Sequence, residues 1–365
     1  LEKSEGGDNL NLMFKILKRG EKLSAALAAG GGESTLADLG LRYDLTLPLS
    51  RFYAANRAKL GSPFKCIQID KSYRAERPQK GRMREFVQCD IDILGSESPL
   101  CELELIDTTA AALNRLAIGS FTIRINDRRL LKGCLAACGV AEDQMDTVCI
   151  SLDKWDKIGA AGVRGELEQK QLDAAVIDRI CTLLEGDRSL DSVESLCGDG
   201  EILQRTRKLI ADVETLAAGS YQVRFDLLLV RGQGYYTGTV FEIESDQFKG
   251  SIGGGGRYDG LVGKFTGENV PAVGFSIGFE RIFAILEQQN YQIPSRRRRV
   301  AVICNEEESV PAMQLAASLR KNGDEAGLYL RPKKLGKLLN RLEEQGFDGY
   351  LVYGEGEEPK MFRKD

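Results

Sequence analysis

Between residues 74 and 92 the chain reads RAERPQKGRMREFVQCDID. Arg74, Arg77, Lys80, Arg82 and Arg84 crowd its first half, and polar and apolar residues alternate through its second. The whole chain is acidic, with a formal net charge of -4 and a pI near 5.4, so this cationic cluster is local and points to one anionic partner. Arginine forks clamp phosphate oxygens while a carboxylate such as Glu76 accepts from an amino group, which together is the chemistry of a polyphosphate site. The other reading of the same stretch is a solvated hairpin of alternating charge. Histidine is absent from the 365 residues, so they hold neither a Ser/His/Asp triad nor a His-ligated zinc site. Catalysis falls to carboxylates, Arg, Lys, Tyr or a bound metal.

The elements that must carry these residues follow from periodicity. In FVQCDIDI, Phe86, Gln88, Asp90 and Asp92 share one face of a strand and Val87, Cys89, Ile91 and Ile93 the other, one wet and one core. Gln88 and Asp92 then stand about 13 Å apart at roughly 3.3 Å per residue, and side chains leaning together would bracket a small molecule. LRYDLTLPLSRF, residues 41–52, and FKCIQID, residues 64–70, read as strand and loop material around a Pro-bounded connection, the latter segment leading into a hairpin around the basic loop 77–81.

Helical spacing takes over from about residue 130 to 219: Leu172, Val176, Ile180 and Leu184 recur at steps of four, and Leu209, Val213 and Leu216 repeat the theme before Gly219. Strand character returns in YQVRFDLLLV and TGTVFEIES. Four consecutive glycines, 253–256, require backbone to approach backbone or ligand closely, and GGGGRYDG reads as a packed turn; it lacks the spacing of a phosphate loop. IPSRRRR, residues 293–299, reads as a solvated linker. After it, strand, helix, strand, helix, strand alternate as in a small α/β domain.

At 42% hydrophobic and 28% charged residues, 365 residues suffice for two or more packed domains. No apolar run approaches the roughly 18 residues of a membrane span, and LEKSEGGDNL lacks a signal-peptide core, so a soluble, cytoplasmic protein is expected. Nine cysteines without a CxxC pair fit reduced, mostly buried thiols.

Four segments together resemble class II aminoacyl-tRNA synthetases, and within them the histidyl-tRNA synthetase family. YRAERPQKGRMREFVQ is similar to motif 2, PAVGFSIGFERI to motif 3, LVRGQGYYTGTVFE to the histidine-binding signature, and LRYDLTLPLSR to the segment that holds the substrate amino group. They occur in the family's order over most of residues 7–354. The resemblance implies an α+β fold: an antiparallel sheet of about six strands flanked by helices, with a helical insertion and a C-terminal α/β anticodon-binding domain. The expected division is a catalytic domain at 1–129 and 220–292, the insertion at 130–219, the linker at 293–299 and the anticodon-binding domain at 300–365.

It implies a histidine-tRNA ligase that activates histidine with ATP and Mg2+ and transfers it to tRNA, as a cytoplasmic homodimer. Arg74 would contact the α-phosphate and the histidine carboxylate, Glu76 the adenine amino group, Arg82 the outer phosphates, and Arg281 the ATP from the other side. Asp44 and Thr46 would hold the α-amino group, assisted by Gln88. Arg231 would sit at the α-phosphate, so that Arg74, Arg231 and Gln88 form the catalytic set. Asp92 and Tyr236 would hydrogen-bond the imidazole, with Tyr235 beside them; no residue is assigned to a metal. Orientation and positive charge suffice for this chemistry, because the substrate carboxylate is itself the nucleophile. Arg331, Lys333, Lys334, Lys337 and Arg341 would face the tRNA. The chain departs from the family at Gly234, where an aspartate is usual, and it contains no motif 1. A different class remains: a non-catalytic histidine-binding regulatory paralogue, like the regulatory subunit of ATP phosphoribosyltransferase, or a tRNA sensor.

Overall fold

The computed structural model describes residues 12–79, 81–231, 235–293, 297–356 and 358–362. The chain divides into two compact units, Leu1–Gln289 and Asn290–Asp365.

The first unit opens with a two-stranded ribbon of β1 (Lys15–Leu17) and β2 (Ala37–Gly40). Its main sheet has seven strands: β3 (Phe64–Tyr73), β4 (Glu85–Leu94), β5 (Phe121–Asp127), β6 (Gln222–Phe225), β7 (Thr239–Ser245), β8 (Phe248–Arg257) and β9 (Ala272–Gly278). Their order is β3-β4-β9-β8-β7-β5-β6, and every neighbouring pair is antiparallel except β5 and β6. The expected hairpin is β3 with β4, in unbroken register from Phe64↔Leu94 to Tyr73↔Glu85.

One face of this sheet is core. Ile93, Ile123, Ile125, Phe241, Ile243, Val273 and Phe275 pack with Leu105, Ile106 and Leu113 of the helix Leu100–Arg115 and Ile282 and Ile285 of the helix Phe279–Gln288. Leu209 and Val213 of the helix Glu201–Ala217 join them, but the apolar stripe ends on buried Ala217, and Leu216 is exposed. A second core, around Leu131, Leu135, Val148, Val163, Ile177 and Ile180, belongs to the helices between β5 and β6.

Two local expectations are corrected. Residues 46–52 of LRYDLTLPLSRF lie in the helix Thr46–Asn56 and in no strand. Pro48 lies in its first turn, where a backbone N–H has no intrahelical acceptor to lose, and Asp44 Oδ1 accepts from Leu47 N at 3.2 Å, satisfying one of the orphan donors there. The glycines 253–256 form no turn; they lie inside β8, between β7 and β9. A Cβ on Gly255 would overlap the Gly274 carbonyl oxygen and the Phe241 ring, so the close approach read from the sequence is that of strand on strand.

The second unit is a four-stranded sheet ordered β11-β10-β12-β13, from β10 (Arg299–Cys304), β11 (Glu325–Leu330), β12 (Gly349–Val352) and β13 (Lys360–Met361). β10 runs parallel to both β11 and β12. Alternate residues of β10 meet helices on opposite faces: Val302 and Cys304 pack on Ala312 and Ala316, Ala301 and Ile303 on Leu338 and Leu342. In the arginine run Arg297 and Arg298 are exposed and Arg299 is half-buried. Arg299 begins β10, its backbone N donates to Asp348 Oδ2 at 2.8 Å and its guanidinium lies 4.5 Å from the Phe347 ring centroid, while Arg298 pairs with Asp324 at 2.6 Å. Residues 294–296 of that segment lie outside the described residues. Six of the nine cysteines are buried and all are free.

Candidate active site

The sheet register makes the site. Gln88 stands opposite Gly278, Asp90 opposite Ser276 and Asp92 opposite Gly274; Gly254 and Gly256 of β8 continue the last two rows. Side chains of one parity share a face, so the polar face of β4 looks across a floor of glycine and serine. That floor bounds a cavity of about 180 Å³. Arg257 fixes the end of the glycine strand: its Nε and Nη2 donate to the two oxygens of Glu102, both at 2.7 Å, in a buried bidentate pair.

Arg74, Glu76, Arg82 and Arg281 line one part of the cavity. The Arg74 guanidinium lies 4.5 Å from the Tyr43 ring centroid and 5.0 Å from that of Phe86, and its Nε donates to the Tyr43 carbonyl at 3.3 Å. Stacking and one hydrogen bond orient it, and its other donors have no hydrogen-bond partner among the described residues, open to an anion. Arg82 and Glu76 pair with each other at 3.0 Å. Arg281 donates from Nε to the Gly81 carbonyl at 3.3 Å and from Nη1 to the Ser251 carbonyl. Burial, with Arg82 nearby, lowers its pKa below the usual arginine value.

The other part is acidic and aromatic. Asp92 is 3% exposed; its Oδ1 accepts from the Tyr258 hydroxyl at 2.7 Å, and its Oδ2 has no partner among the described residues. Burial pushes its carboxyl up to about 8, despite the tyrosine hydrogen bond, with Asp90 and Asp44 adding to the rise. Burial likewise raises Asp90 to about 6 and raises Asp44. Gln88 Nε2 is 3.3 Å from both Asp90 Oδ2 and Ser276 Oγ, and its Oε1 is buried without a partner among the described residues. Two buried carboxyl groups in the wall, Asp90 and Asp92, with Asp44 behind it and buried acceptors on Asp92 and Gln88 left without a partner among the described residues, suit a small ligand rich in N–H donors.

Thr46, Gln88, Asp92, Arg231, Tyr235 and Tyr236 all line this cavity with the four residues of the cationic part. Asp44 does not appear in the wall, because its carboxylate is turned to the helix at Leu47 N. The Tyr236 hydroxyl engages Arg231 and Tyr235, and the Tyr258 hydroxyl donates to Asp92. Tyr258 was concealed within GGGGRYDG, whose glycines drew the reading toward packing; a tyrosine beside a glycine floor was the available signal. Asp90 was legible, on the same strand face as Gln88 and Asp92. Gly234 lies outside the described residues. Among the described residues no group of three or more His, Cys, Asp or Glu is arranged to hold a metal ion, and no helix is long and apolar enough to cross a membrane.

Comparison with known proteins gives a consistent result. A family profile described as histidyl-tRNA synthetase matches residues 32–282. The histidine–tRNA ligase of Leifsonia xyli subsp. xyli is 43% identical over 369 residues, covering 94% of this chain and 82% of that protein. The histidine–tRNA ligase of Christiangramia forsetii is 32% identical over 372 residues, covering 96% and 81%. Among solved structures, the histidyl-tRNA synthetase of a Nostoc species superposes with a TM-score of 0.72 at 26% identity, covering 95% of this chain and 81% of that one. A structure titled as an ATP phosphoribosyltransferase regulatory subunit/histidyl-tRNA synthetase, from Bacillus halodurans, shares the fold with a TM-score of 0.71 at 24% identity.

Proposed function

The chain belongs to the histidyl-tRNA synthetase family, and from that premise we propose how its cleft performs the family's reaction. The activity is that of a histidine–tRNA ligase: histidine is activated with ATP and then joined to tRNA. In the first step a histidine carboxylate oxygen bonds to the α-phosphorus and the bond to the β-phosphate oxygen breaks, releasing pyrophosphate. In the second, the tRNA 3′ hydroxyl attacks the mixed anhydride and AMP leaves.

The observation that carries the residue assignment is the division of one cavity into a cationic part and a buried acidic part. Arg74 and Arg231 hold the reacting carboxylate and the α-phosphate, supplying charge where it develops in the transition state. Arg281 and Arg82 take the remaining phosphates, and Glu76 the adenine amino group, once Arg82 exchanges its pairing with Glu76 for the nucleotide. Gln88 Oε1 and Thr46 accept from the α-amino group; Asp44 adds negative charge from behind the wall. Asp92 Oδ2 takes an imidazole N–H, and the tyrosines 235 and 236 close the ring pocket.

Mg2+ would be held by the phosphate oxygens of ATP, because the side chains around the phosphate part are mainly guanidinium; it supplies further neutralisation of phosphate charge. The second unit, with Arg331, Lys333, Lys334, Lys337 and Arg341, binds the tRNA. A homodimer is supported by edge strand β3, which carries Ile67 and Ile69 at 68% and 66% exposure. The protein works in the cytoplasm with its tRNA. A regulatory paralogue fits less well, since the arginines and Glu76 suited to ATP are all retained around the cavity. Charging of tRNA with labelled histidine tests this reading: histidine alone of the amino acids should be esterified. Charging with another amino acid, or none under ATP, contradicts it.

A further inference from the structure

Glu242 lies outside the cavity wall, yet one row across the sheet connects it to the centre of the site. In register the row runs Asp90, Ser276, Gly254, Glu242, Arg124 through β4, β9, β8, β7 and β5. The Arg231 guanidinium lies over the glycine in this row; a Cβ on Gly254 would overlap it. Glu242 Oε2 accepts from Arg231 Nη1 at 3.1 Å, and Glu242 Oε1 accepts from Arg124 Nη1 at 3.3 Å. Arg124 is held in turn: its Nε donates to Asp226 at 2.7 Å and its Nη1 to Glu244 at 2.8 Å. Arg231 has φ 55, a left-handed conformation costly for a long side chain, so its placement depends on contacts beyond its own backbone. Its Nε is buried with no partner among the described residues.

We propose that Glu242 is the positioning residue for Arg231, holding one guanidinium nitrogen so that the remaining donors face the reacting carboxylate and α-phosphate, with Gly254 as the gap through which the guanidinium passes. Because Glu242 divides its oxygens between two arginines, it orients Arg231 without cancelling its charge. A carboxylate bonded to Arg231 alone would swing with it; one anchored through Arg124, Asp226 and Glu244 cannot. The inference rests on the cleft being the site of histidine activation, and adds a residue to it that touches no substrate.

The test is a double-mutant cycle read as histidine-dependent ATP–pyrophosphate exchange in the full chain, its four members being the unmutated protein, Glu242→Gln, Arg231→Ala and the double variant. Loss of a hydrogen bond to a charged group predicts a fall in kcat of about 10- to 100-fold for Glu242→Gln, with the KM for histidine within about threefold of the original. On the Arg231→Ala background the same change should cost nothing further. Equal losses on both backgrounds, the behaviour of a merely structural residue, overturn the inference. Gly254→Ala gives a second route should Glu242→Gln fail to fold, since its methyl displaces the guanidinium while it also presses on the Phe241 carbonyl; a folded Gly254→Ala protein with unchanged kcat also overturns it. Absence of exchange in the unmutated chain removes the activation reading, and the inference with it.

Discussion

Asp92 is withdrawn from water beneath a tyrosine hydroxyl, and this sets its cost in the free protein. A buried acceptor with no protein partner loses its hydration unless a ligand N–H replaces it, so a ring with a donor at that position is favoured over an apolar ring of similar size. Its folded pKa of about 8 lies above the ordinary aspartate value of 3.8, so the folded protein retains a proton that the unfolded chain releases. The stability contributed by this group is therefore complete below about pH 4 and is lost as pH rises through about 8. Asp92→Asn should flatten the fall in ligand-free stability between pH 6 and pH 8, where one proton accounts for at most about 1.4 kcal/mol per pH unit. Denaturant titrations at those pH values check this; parallel pH dependence in the two proteins contradicts it. Gln88, Asp90 and Asp92 were legible as one strand face, because a period of two is local. Tyr258 was not, since its bond to Asp92 spans 166 positions and depends on the pairing of strands that the sequence does not specify one by one.

At the scale of elements, the glycine strand sets the geometry. Gly255 must lie almost against the Gly274 carbonyl, while its neighbours leave room on the other face for Arg231 and Tyr236. Gly255→Ala is expected to destabilise the protein by about 1–3 kcal/mol through overpacking. Gly165, inside the helix Trp155–Gln169, would meet nothing within 4 Å, so Gly165→Ala should be neutral or stabilise by up to about 1 kcal/mol. The thermal midpoint should fall for Gly255→Ala and hold or rise for Gly165→Ala. The sequence showed that 253–256 required close approach, but strand and turn use glycine for the same reason, and only the partners at 240–243 and 273–277 decide between them. The helix at Thr46–Asn56 was missed for a related reason: Pro48 breaks a helix in its interior but not in its first turn.

At the scale of the whole molecule, the proposed tRNA-binding role of the second unit implies a division between tRNA recognition and histidine activation. Changing Lys333, Lys334 and Lys337 together to Glu should raise the KM for tRNA in aminoacylation and leave histidine-dependent pyrophosphate exchange unchanged; equal losses in both assays would contradict the division. Exposed Ile67 and Ile69 on edge strand β3 lead to a further expectation, that Ile67→Lys with Ile69→Lys lowers the mass measured by light scattering from that of a dimer to that of a monomer. The order of elements was readable because each segment carries its own period, 2 or 3.6. The seven-strand order, with its single parallel pair, was not readable, because β5 and β6 are separated by 94 positions of largely helical chain, from 127 to 222.

The central claim is that this cleft activates histidine, and histidine-dependent ATP–pyrophosphate exchange with magnesium measures it most directly, comparing the full chain with Arg231→Ala. The account predicts exchange that requires histidine and falls by at least about 100-fold in the variant, the scale of losing a charged group that acts on the transition state. Histidine binding without exchange, detected by calorimetry, would contradict it and mark the cleft as a sensor.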